Sequence, residues 1–298
     1  MIAFMTLGAR GNWDFILSFR GTKLIALVIV AIAIAVATIV FQTLTSNRIL
    51  TPSIMGFDSL YVLLQTGLLF LLGGMDYVLL APGTKFLLEL LLLASAALLL
   101  FGSLLGHGVQ DLFRMLLVGV IFGVLFRSLT GLLQRLIDPS EFAVLQGSLF
   151  ASFNKIDTSL LTFAAPVILI SLALVWWKRN TFDVMALGRE QAISLGLNYR
   201  RELFTGLTLV TSLVAVSTAL VGPVTFFGLL VSALSYELVK THRHGPLLVA
   251  ASLIAVTVLV GGQAIFERVL GMGATLSVVI EFVGGLVFLF LILRKVRA

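Results

Sequence analysis

The run from Leu24 to Phe41 contains a single polar side chain, that of Thr38. A helix needs about 20 apolar residues to cross a bilayer, and there it must satisfy all of its own backbone hydrogen bonds. The run is therefore predicted to be a transmembrane helix, and several further stretches approach the same length. Because 59% of the 298 residues are apolar and only 11% are charged, the sequence predicts an all-α polytopic membrane protein, with residues 1–298 forming a single transmembrane domain.

The apolar pattern predicts nine spans, and the basic residues at their ends predict the orientation. The spans are 22–45, 55–73, 84–102, 112–137, 158–177, 203–221, 224–240, 246–262 and 276–293. One set of ends carries Arg48, Lys178, Arg179, Arg189, Arg200, Arg201, Lys240, Arg243, Arg294, Lys295 and Arg297. The opposite set carries Arg10, Arg20, Lys23, Lys85, Arg135, Lys155 and Arg268, together with most of the acidic residues. Because cytoplasmic loops are rich in Lys and Arg, the first set is predicted to be cytoplasmic, with the C-terminus inside and the N-terminus outside.

Several classes of function are excluded by what the sequence lacks. The first twenty residues have no cleavable apolar core, so no signal peptide is predicted. There is no cysteine, no Gly-x-x-x-x-Gly-Lys phosphate loop and no His-Glu-x-x-His metal motif. The net charge of +6 is attributed to cytoplasmic loops rather than to nucleic-acid binding. The chain is predicted not to be an enzyme and to bind no cofactor or metal; if it drives transport with ATP, the energy must come from another subunit. Short loops are predicted to hold the histidines, His107, His242 and His244, with the last two in a basic cluster.

Proline and glycine interrupt the apolar pattern at two places. The first break, in ILTPSIMGFD, is marked by Pro52 and Gly56, and the second, in LVGPVTFFGLL, by Gly222, Pro223 and Gly228. Each lies between the first and second spans of a four-span group, and the charge pattern places the two at opposite faces. Corresponding breaks in oppositely oriented halves indicate an inverted repeat and tend to lie near a transport route. Ordinary interhelical turns are the alternative, since Pro and Gly are the usual turn residues.

Polar side chains within the predicted spans must face protein or water because hydrocarbon solvates them poorly. Glu89 is one such residue, and Arg127 is a basic residue that could neutralise it, either as a structural pair or beside a substrate. The glycines of GVIFG, Gly119 and Gly123, have the spacing of close helix packing.

The predicted cytoplasmic stretch DVMALGREQAISLG, residues 183–196, is short and two-faced; we call it the coupling segment. It is predicted to be one amphipathic helix, capped by Asp183 and ended by Gly196 in a left-handed conformation. Such a helix either lies among lipid headgroups or fits a groove of a partner. The small residues in this stretch permit close approach of another protein, and they therefore favour docking in a partner's groove over lying among lipid headgroups.

Four stretches together resemble the permease subunits of ABC importers for iron-siderophores and cobalamin, the FecCD-like family. FQTLTSNRILTPSIMGFDSLY is similar to a family signature that runs from a glutamine to a glycine. LQGSLFASF resembles the family's Gly-Ser-Leu segment, ALGREQAISLGL its cytoplasmic coupling segment, and GPVTFFGLL its Gly-x-Ile-x-Phe-x-Gly-Leu segment. The match runs in order over residues 20–295 and looks closest to the branch that serves catecholate-type siderophores. The signature residues in this chain are Gln42, Asn47, Leu50, Pro52 and Gly56.

The resemblance implies an assembly and roles for particular residues. The partners would be two ABC ATPase subunits, a second permease of a different sequence, an extracytoplasmic siderophore-binding protein, the ferric siderophore and the lipid bilayer. ATPase coupling would fall to Ala186, Leu187, Gly188, Gln191, Ala192, Leu195 and Gly196. The translocation path or its gate would include Gln42, Asn47, Thr51, Pro52, Gly56, Gly228 and Ser232. Docking of the binding protein would involve Arg135, Lys155 and Arg268.

Two departures from the family pattern accompany the resemblance. The family has ten helices, and its first helix has no clear counterpart among the nine predicted spans. The family's Val-Pro-His after Gly-Leu-Ile is replaced by Val-Ser-Ala, with Ser232 and Ala233. The expected division is a first half 22–137, a linking helix 158–177, a coupling helix 183–196 and a second half 203–295.

The expected function is ATP-driven import of ferric siderophore across a bacterial inner membrane by a multi-pass permease subunit. The alternative is an ion-coupled secondary transporter with an inverted repeat, which would need Glu89 or Arg127 to carry the coupling ion.

Overall fold

The computed structural model describes residues 4, 13–106, 112–149, 158–269 and 279–287. Within these ranges the chain is helical, without a strand. A π-helical turn, Ser53–Phe57, separates the first two helices, and residues 279–287 form a last helical segment. The prediction of an all-helical fold is confirmed. The helices are α1 Trp13–Leu44, α2 Asp58–Leu79, α3 Pro82–Gly106, α4 Leu112–Leu136, α5 Pro139–Leu149, α6 Thr158–Trp177, α7 Arg179–Met185, α8 Arg189–Ser194, α9 Tyr199–Val221, α10 Phe227–Val239 and α11 His244–Val269.

Seven of the described helices are long and apolar enough to cross a membrane. They match seven of the nine predicted spans; the other two are 224–240 and 276–293. Helix α10 has 13 residues, or about 20 Å at 1.5 Å per residue, and is too short to cross a ~30 Å hydrocarbon core alone. The prediction of a full span at 224–240 is therefore wrong, because the second break delays the start of this helix. Of span 276–293, only 279–287 lies within the described residues.

Helices α1 and α9 form the centre of the bundle. In their most apolar windows, 67% of α1 and 72% of α9 is buried, against 17–33% for the other five spans. The two helices pack on each other; α1 also contacts α10 and α11, and α9 also contacts α3 and α6. A helix that is apolar on every side is expected to be enclosed by other helices. In the remaining spans at most a third of the window is buried, and their exposed apolar side chains, such as Leu71, Leu125 and Leu253, would be covered by lipid or another membrane subunit.

Polar contacts at the helix ends define two faces. Lys178 Nζ lies 2.5 Å from Glu202 Oε2 and joins the end of α6 to the start of α9. Arg48 donates to Nδ1 of His242, in the loop just before α11, 3.3 Å away. At the opposite end, Lys23 pairs with Glu267 and joins the start of the apolar part of α1 to the end of α11. We call the face that carries Arg48 and Lys178 the basic end; it gathers described residues that the charge pattern assigns to the cytoplasm.

The buried carboxyl group of Glu89 has a partner that the sequence did not suggest. Gln65 Nε2 donates to Glu89 Oε1 at 2.6 Å. The chain of hydrogen bonds continues, because Tyr77 donates to Gln65 Oε1 at 2.6 Å and Lys85 donates to the Tyr77 hydroxyl at 2.7 Å. Arg127 instead donates to a serine hydroxyl of α2 at 3.4 Å. The suggested pairing of Arg127 with Glu89 is therefore wrong, since each side chain is engaged elsewhere.

Candidate functional site

The first break brings two stretches of backbone into contact. Gly56, inside the π-helical turn Ser53–Phe57, has φ 102°, a conformation that side chains with a Cβ rarely adopt. A Cβ at this position would lie 3.2 Å from Gly123 Cα and 3.4 Å from Gly119 O, both backbone atoms of α4. The two glycines of α4 therefore allow the turn to approach closely. Single π-helical turns are often found at functional sites.

Asn47, Thr51 and Pro52, which the resemblance places on the path, shape the chain before this turn. Asn47 Oδ1 accepts from the N–H of Ile49 at 2.9 Å, and Thr51 Oγ1 accepts from the N–H of Ile54 at 3.3 Å. Thr51 and Pro52 are buried. Their contacts hold the turn geometry, which positions the residues that follow.

The second break directs the chain into the bundle. Gly222 N–H donates to Thr218 O at 2.7 Å, and α9 ends there. Helix α10 then begins beside α1, where a Cβ at Gly228 would lie 2.2 Å from Thr38 Oγ1. Thr38 lies six residues before the end of the α1 span at Leu44. The connection between α9 and α10 therefore enters the membrane-spanning part of the bundle, as expected for a broken helix near a route.

The structure joins two of the proposed path residues, Gln42 and Ser232. Gln42 Nε2 donates to Ser232 Oγ at 3.0 Å and to the carbonyl oxygen of Arg48 at 2.7 Å. Both side chains are buried, and Gln42 Oε1 accepts no hydrogen bond from the described residues. This contact fastens α10 to the end of α1, near the basic end. Ser232 is also the residue at which the sequence departs from the family pattern.

Asp58 and Thr225, which sequence reasoning missed, connect the two breaks directly. Thr225 Oγ1 donates to Asp58 Oδ2 at 2.6 Å across 167 positions of sequence. Asp58 follows the first break, and Thr225 lies within the second. A carboxyl group within the predicted span 55–73 was the signal that could have identified the site, because such groups are costly in hydrocarbon. The breaks therefore meet each other instead of lying at opposite faces.

The coupling segment is not the single helix that the sequence predicts. It is part of two short helices, Arg179–Met185 and Arg189–Ser194, rather than one helix over 183–196. The interruption falls at Gly188, whose φ of 101° is incompatible with a continuous right-handed helix. Gly196 has φ 86° and ends the second helix. The prediction of a left-handed glycine at this end is confirmed.

Apolar side chains of the coupling segment form an exposed surface. Leu187 is 57% exposed, Leu195 64% and Ile193 48%; we call these three the contact patch. Ile193 was not among the predicted coupling residues. Ala192 was among them, but it is fully buried and anchors the segment to its own chain. The prediction that Ala192 contacts a partner directly is therefore wrong. The other predicted coupling residues are Ala186, Gln191 and Gly196, which are exposed, and Gly188, which is half-buried.

Two side chains expected elsewhere meet at the basic end. Asp183 does not cap a helix start; it lies inside α7, and its carboxylate contacts His244 at 2.6 Å. His244 is 2% exposed, so its assignment to a solvent-facing basic cluster is wrong, whereas His242 does lie beside Arg48. His107 lies outside the described residues. Among the residues that the structure describes, no group of three His, Cys, Asp or Glu side chains could hold a metal ion.

The residues predicted to dock a binding protein are only partly described. Arg135 is exposed in the last turn of α4. Lys155 lies outside the described residues. Arg268 belongs to α11 through its backbone, and its side chain is also outside the described part.

Comparisons with known proteins agree with the helical architecture and with the resemblance to the family. The model of the FecCD transport family matches residues 2–294. The petrobactin import system permease protein YclO of Bacillus subtilis (strain 168) is 45% identical, over 96% of this chain and 90% of the relative. The petrobactin import system permease protein FatC of Bacillus anthracis is 34% identical, over 93% and 78%. A solved structure described as an inward-facing metal-chelate type ABC transporter superposes with a TM-score of 0.84 at 21% identity, over 97% of this chain and 94% of that chain. This last likeness concerns the fold.

Proposed function

The chain belongs to the FecCD transport family, and on that premise we propose that its cargo is a ferric siderophore of the catecholate type. The family assignment makes it a multi-pass permease subunit of an ABC importer for iron chelates in a bacterial inner membrane. ATP is hydrolysed by a separate subunit, and the permease holds no cofactor of its own. Two relatives that are petrobactin import permeases support the catecholate proposal.

Uptake of labelled iron tests the cargo. Cells that lack other iron-chelate importers would express this chain with its ATPase and binding protein, and receive iron bound to a catecholate-type or a hydroxamate-type siderophore. We expect ATP-dependent uptake of the catecholate form. Uptake of the hydroxamate form alone would contradict the proposed cargo class.

We further propose that the assembly contains two ATPase subunits, an extracytoplasmic binding protein and a second permease of different sequence. The resemblance to the catecholate branch supports this arrangement. Two copies of this chain that carry different tags provide a test. If the partner is a different chain, one tag should not co-purify the other copy. Recovery of both copies in one complex would indicate a homodimer.

The contact patch is the observation that carries the proposed coupling to an ATPase. Three large apolar side chains project from the basic end, which we propose faces the cytoplasm. An amphipathic helix is commonly recognised by insertion of its apolar face into a groove of a partner. Ala192 fixes the segment to the permease, while Leu187, Ile193 and Leu195 stay available. Arg135, Lys155 and Arg268, which the charge pattern of the sequence assigns to the extracytoplasmic side, are proposed to steer the binding protein by charge.

Substitution of Gly188 tests this coupling role. Gly188→Leu places a side chain at a left-handed position beside Gln191, whose Oε1 would lie 3.0 Å from the new Cβ. We expect normal insertion into the membrane but loss of ATPase co-purification. Gly245→Ala, in α11 at the basic end, is the matched control, because its nearest neighbour would lie at 3.7 Å. Intact association and uptake in Gly188→Leu would refute the assignment.

The meeting of the two breaks supports a route between two halves of the chain. We propose that residues 22–137 and 203–295 are inverted repeats joined by the linking helix 158–177 and the coupling segment 183–196. Each half has its most buried helix first, followed by a break. Movement of one half against the other would open the Gln42–Ser232 contact and alternate access to the route.

The alternative of an ion-coupled secondary transporter is not supported by the family assignment. The two residues that would carry the coupling ion are hydrogen-bonded within the bundle: Glu89 accepts from Gln65, and Arg127 donates to α2. Family membership assigns the energy source to ATP hydrolysis by a partner.

A further inference from the structure

His244, the first residue of α11, joins three helices at the basic end. Its backbone N–H and its ring Nδ1 each lie 2.6 Å from Asp183 Oδ1 in α7. Its Nε2 lies 2.7 Å from Thr43 Oγ1 in α1. The ring also packs against Phe182, with the centroids 5.9 Å apart. Both nitrogens of this buried imidazole are therefore bound by other helices.

The chemistry of the partners gives these bonds a direction. A carboxylate only accepts hydrogen bonds, so Nδ1 and the backbone N–H both donate to Asp183. Nε2 accepts from the Thr43 hydroxyl when the ring is neutral and donates to it when the ring is protonated. The Thr43 hydroxyl can form this bond in both protonation states. When the ring is protonated, the hydroxyl donates its own hydrogen to the carbonyl oxygen of Ile39, 3.1 Å away. The link between α1 and α11 therefore persists in both states.

The same link connects the contact patch to the proposed route. Asp183 lies in α7, which packs on α1 and α11 and leads directly to Leu187. Thr43 follows Gln42, whose amide donates to Ser232 Oγ at 3.0 Å. One buried side chain, His244, thus links α7, which precedes the patch, to Thr43, the neighbour of the residue that fastens α10 to α1.

We propose that His244 is a positioning residue of the transport cycle, which transmits movement of the coupling segment to the end of α1. The inference rests on the proposed role of the coupling segment. A bond that only stabilised the fold would affect assembly, hydrolysis and uptake in parallel. A transmitting bond affects the amount of cargo moved for each ATP hydrolysed.

The first test measures uptake and ATP hydrolysis together, with the complete importer in proteoliposomes. His244→Ala removes both ring contacts, whereas His244→Asn keeps a donor near Asp183 and loses the reach to Thr43. Thr43→Val removes the hydroxyl alone. Thr257→Val is the matched control, because Thr257 is exposed and its hydroxyl also donates to a carbonyl four residues earlier, at 2.8 Å.

We expect His244→Ala to assemble and hydrolyse ATP, with uptake per ATP lowered about ten-fold, the usual scale for loss of a charge-assisted hydrogen bond. His244→Asn and Thr43→Val, which break only the bond between His244 and Thr43, should lower the ratio in the same direction by a smaller factor, and Thr257→Val should not lower it. If His244→Ala fails to reach the membrane, His244→Asn and Thr43→Val provide the test of the proposal. A normal ratio of uptake to hydrolysis in them, or an equal fall in both activities, overturns the proposal.

A distance measurement tests the same inference without any cargo. The chain has no cysteine, so spin labels can be placed at the exposed positions Ser194 and Ile49, on α8 and just beyond α1. If His244 makes these regions move together, their distance should stay constant when nucleotide binds the complex, and should become nucleotide-dependent in His244→Ala. The same behaviour in both proteins overturns the inference, whichever siderophore is carried.

Discussion

The two breaks occupy corresponding places in the chain but are held in different ways. At the first break, Gly56 meets the backbone of Gly119 and Gly123 in α4. At the second, Gly228 meets the hydroxyl group of Thr38 in α1. A contact between backbones cannot be relieved by a change of side chain, whereas a contact with a hydroxyl can. The first break is therefore expected to be rigid, and the second to tolerate a compensating substitution.

The largest effect is expected at Gly56. Gly56→Ala places a Cβ at φ 102°, 3.2 Å from the Gly123 backbone. The backbone strain at this positive φ and the overpacking against α4 together should lower the free energy of unfolding by about 3 kcal/mol. The midpoint of thermal unfolding in detergent measures the change. Gly67→Ala in α2 is the control, because its Cβ would meet nothing within 4 Å. Equal midpoints for the two variants would show that the first break is not rigid.

An intermediate effect is expected at Gly228. Gly228→Ala brings its Cβ to 2.2 Å from Thr38 Oγ1, and overpacking of a buried contact costs about 1–3 kcal/mol. Adding Thr38→Ala removes the hydroxyl and should restore most of the lost thermal stability. If the double variant loses as much thermal stability as the two single variants added together, the two breaks do not differ in this way.

The smallest effect is expected at Gly119. A Cβ there would lie 2.5 Å from Met55 Cε, the far end of a flexible side chain that can adopt another rotamer. We expect Gly119→Ala to lower the free energy of unfolding by less than about 1 kcal/mol. A loss as large as that of Gly56→Ala would mean that the Met55 side chain cannot move aside at this contact.

The sequence predicts the parts of this fold that depend on local composition. Long apolar runs reveal seven of the membrane-crossing helices, because a spanning helix must be apolar over its whole length. Both breaks are also predicted, because Pro and Gly interrupt the apolar pattern at these places. The sequence also predicts the end of the coupling segment at Gly196, since glycine adopts the left-handed conformation at little cost.

The parts that the sequence does not predict depend on contacts between distant residues. Asp58 and Thr225 are 167 positions apart, and no periodic pattern relates them. The coupling segment was predicted as one helix because its apolar residues continue across Gly188 with helical spacing. The burial of Ala192 and of His244 follows from the way the segment folds back on the bundle, which only tertiary packing specifies.

If the contact patch binds a separate ATPase, site-specific crosslinking should capture the two proteins at this surface. A photoreactive residue would replace Leu187, Leu195 or, as the control, Leu253, an apolar side chain of α11 that is 65% exposed. In membranes that contain the whole importer, we predict crosslinks to the ATPase from positions 187 and 195 and none from 253. Failure to crosslink from both patch positions, or an equal yield from position 253, would contradict the account.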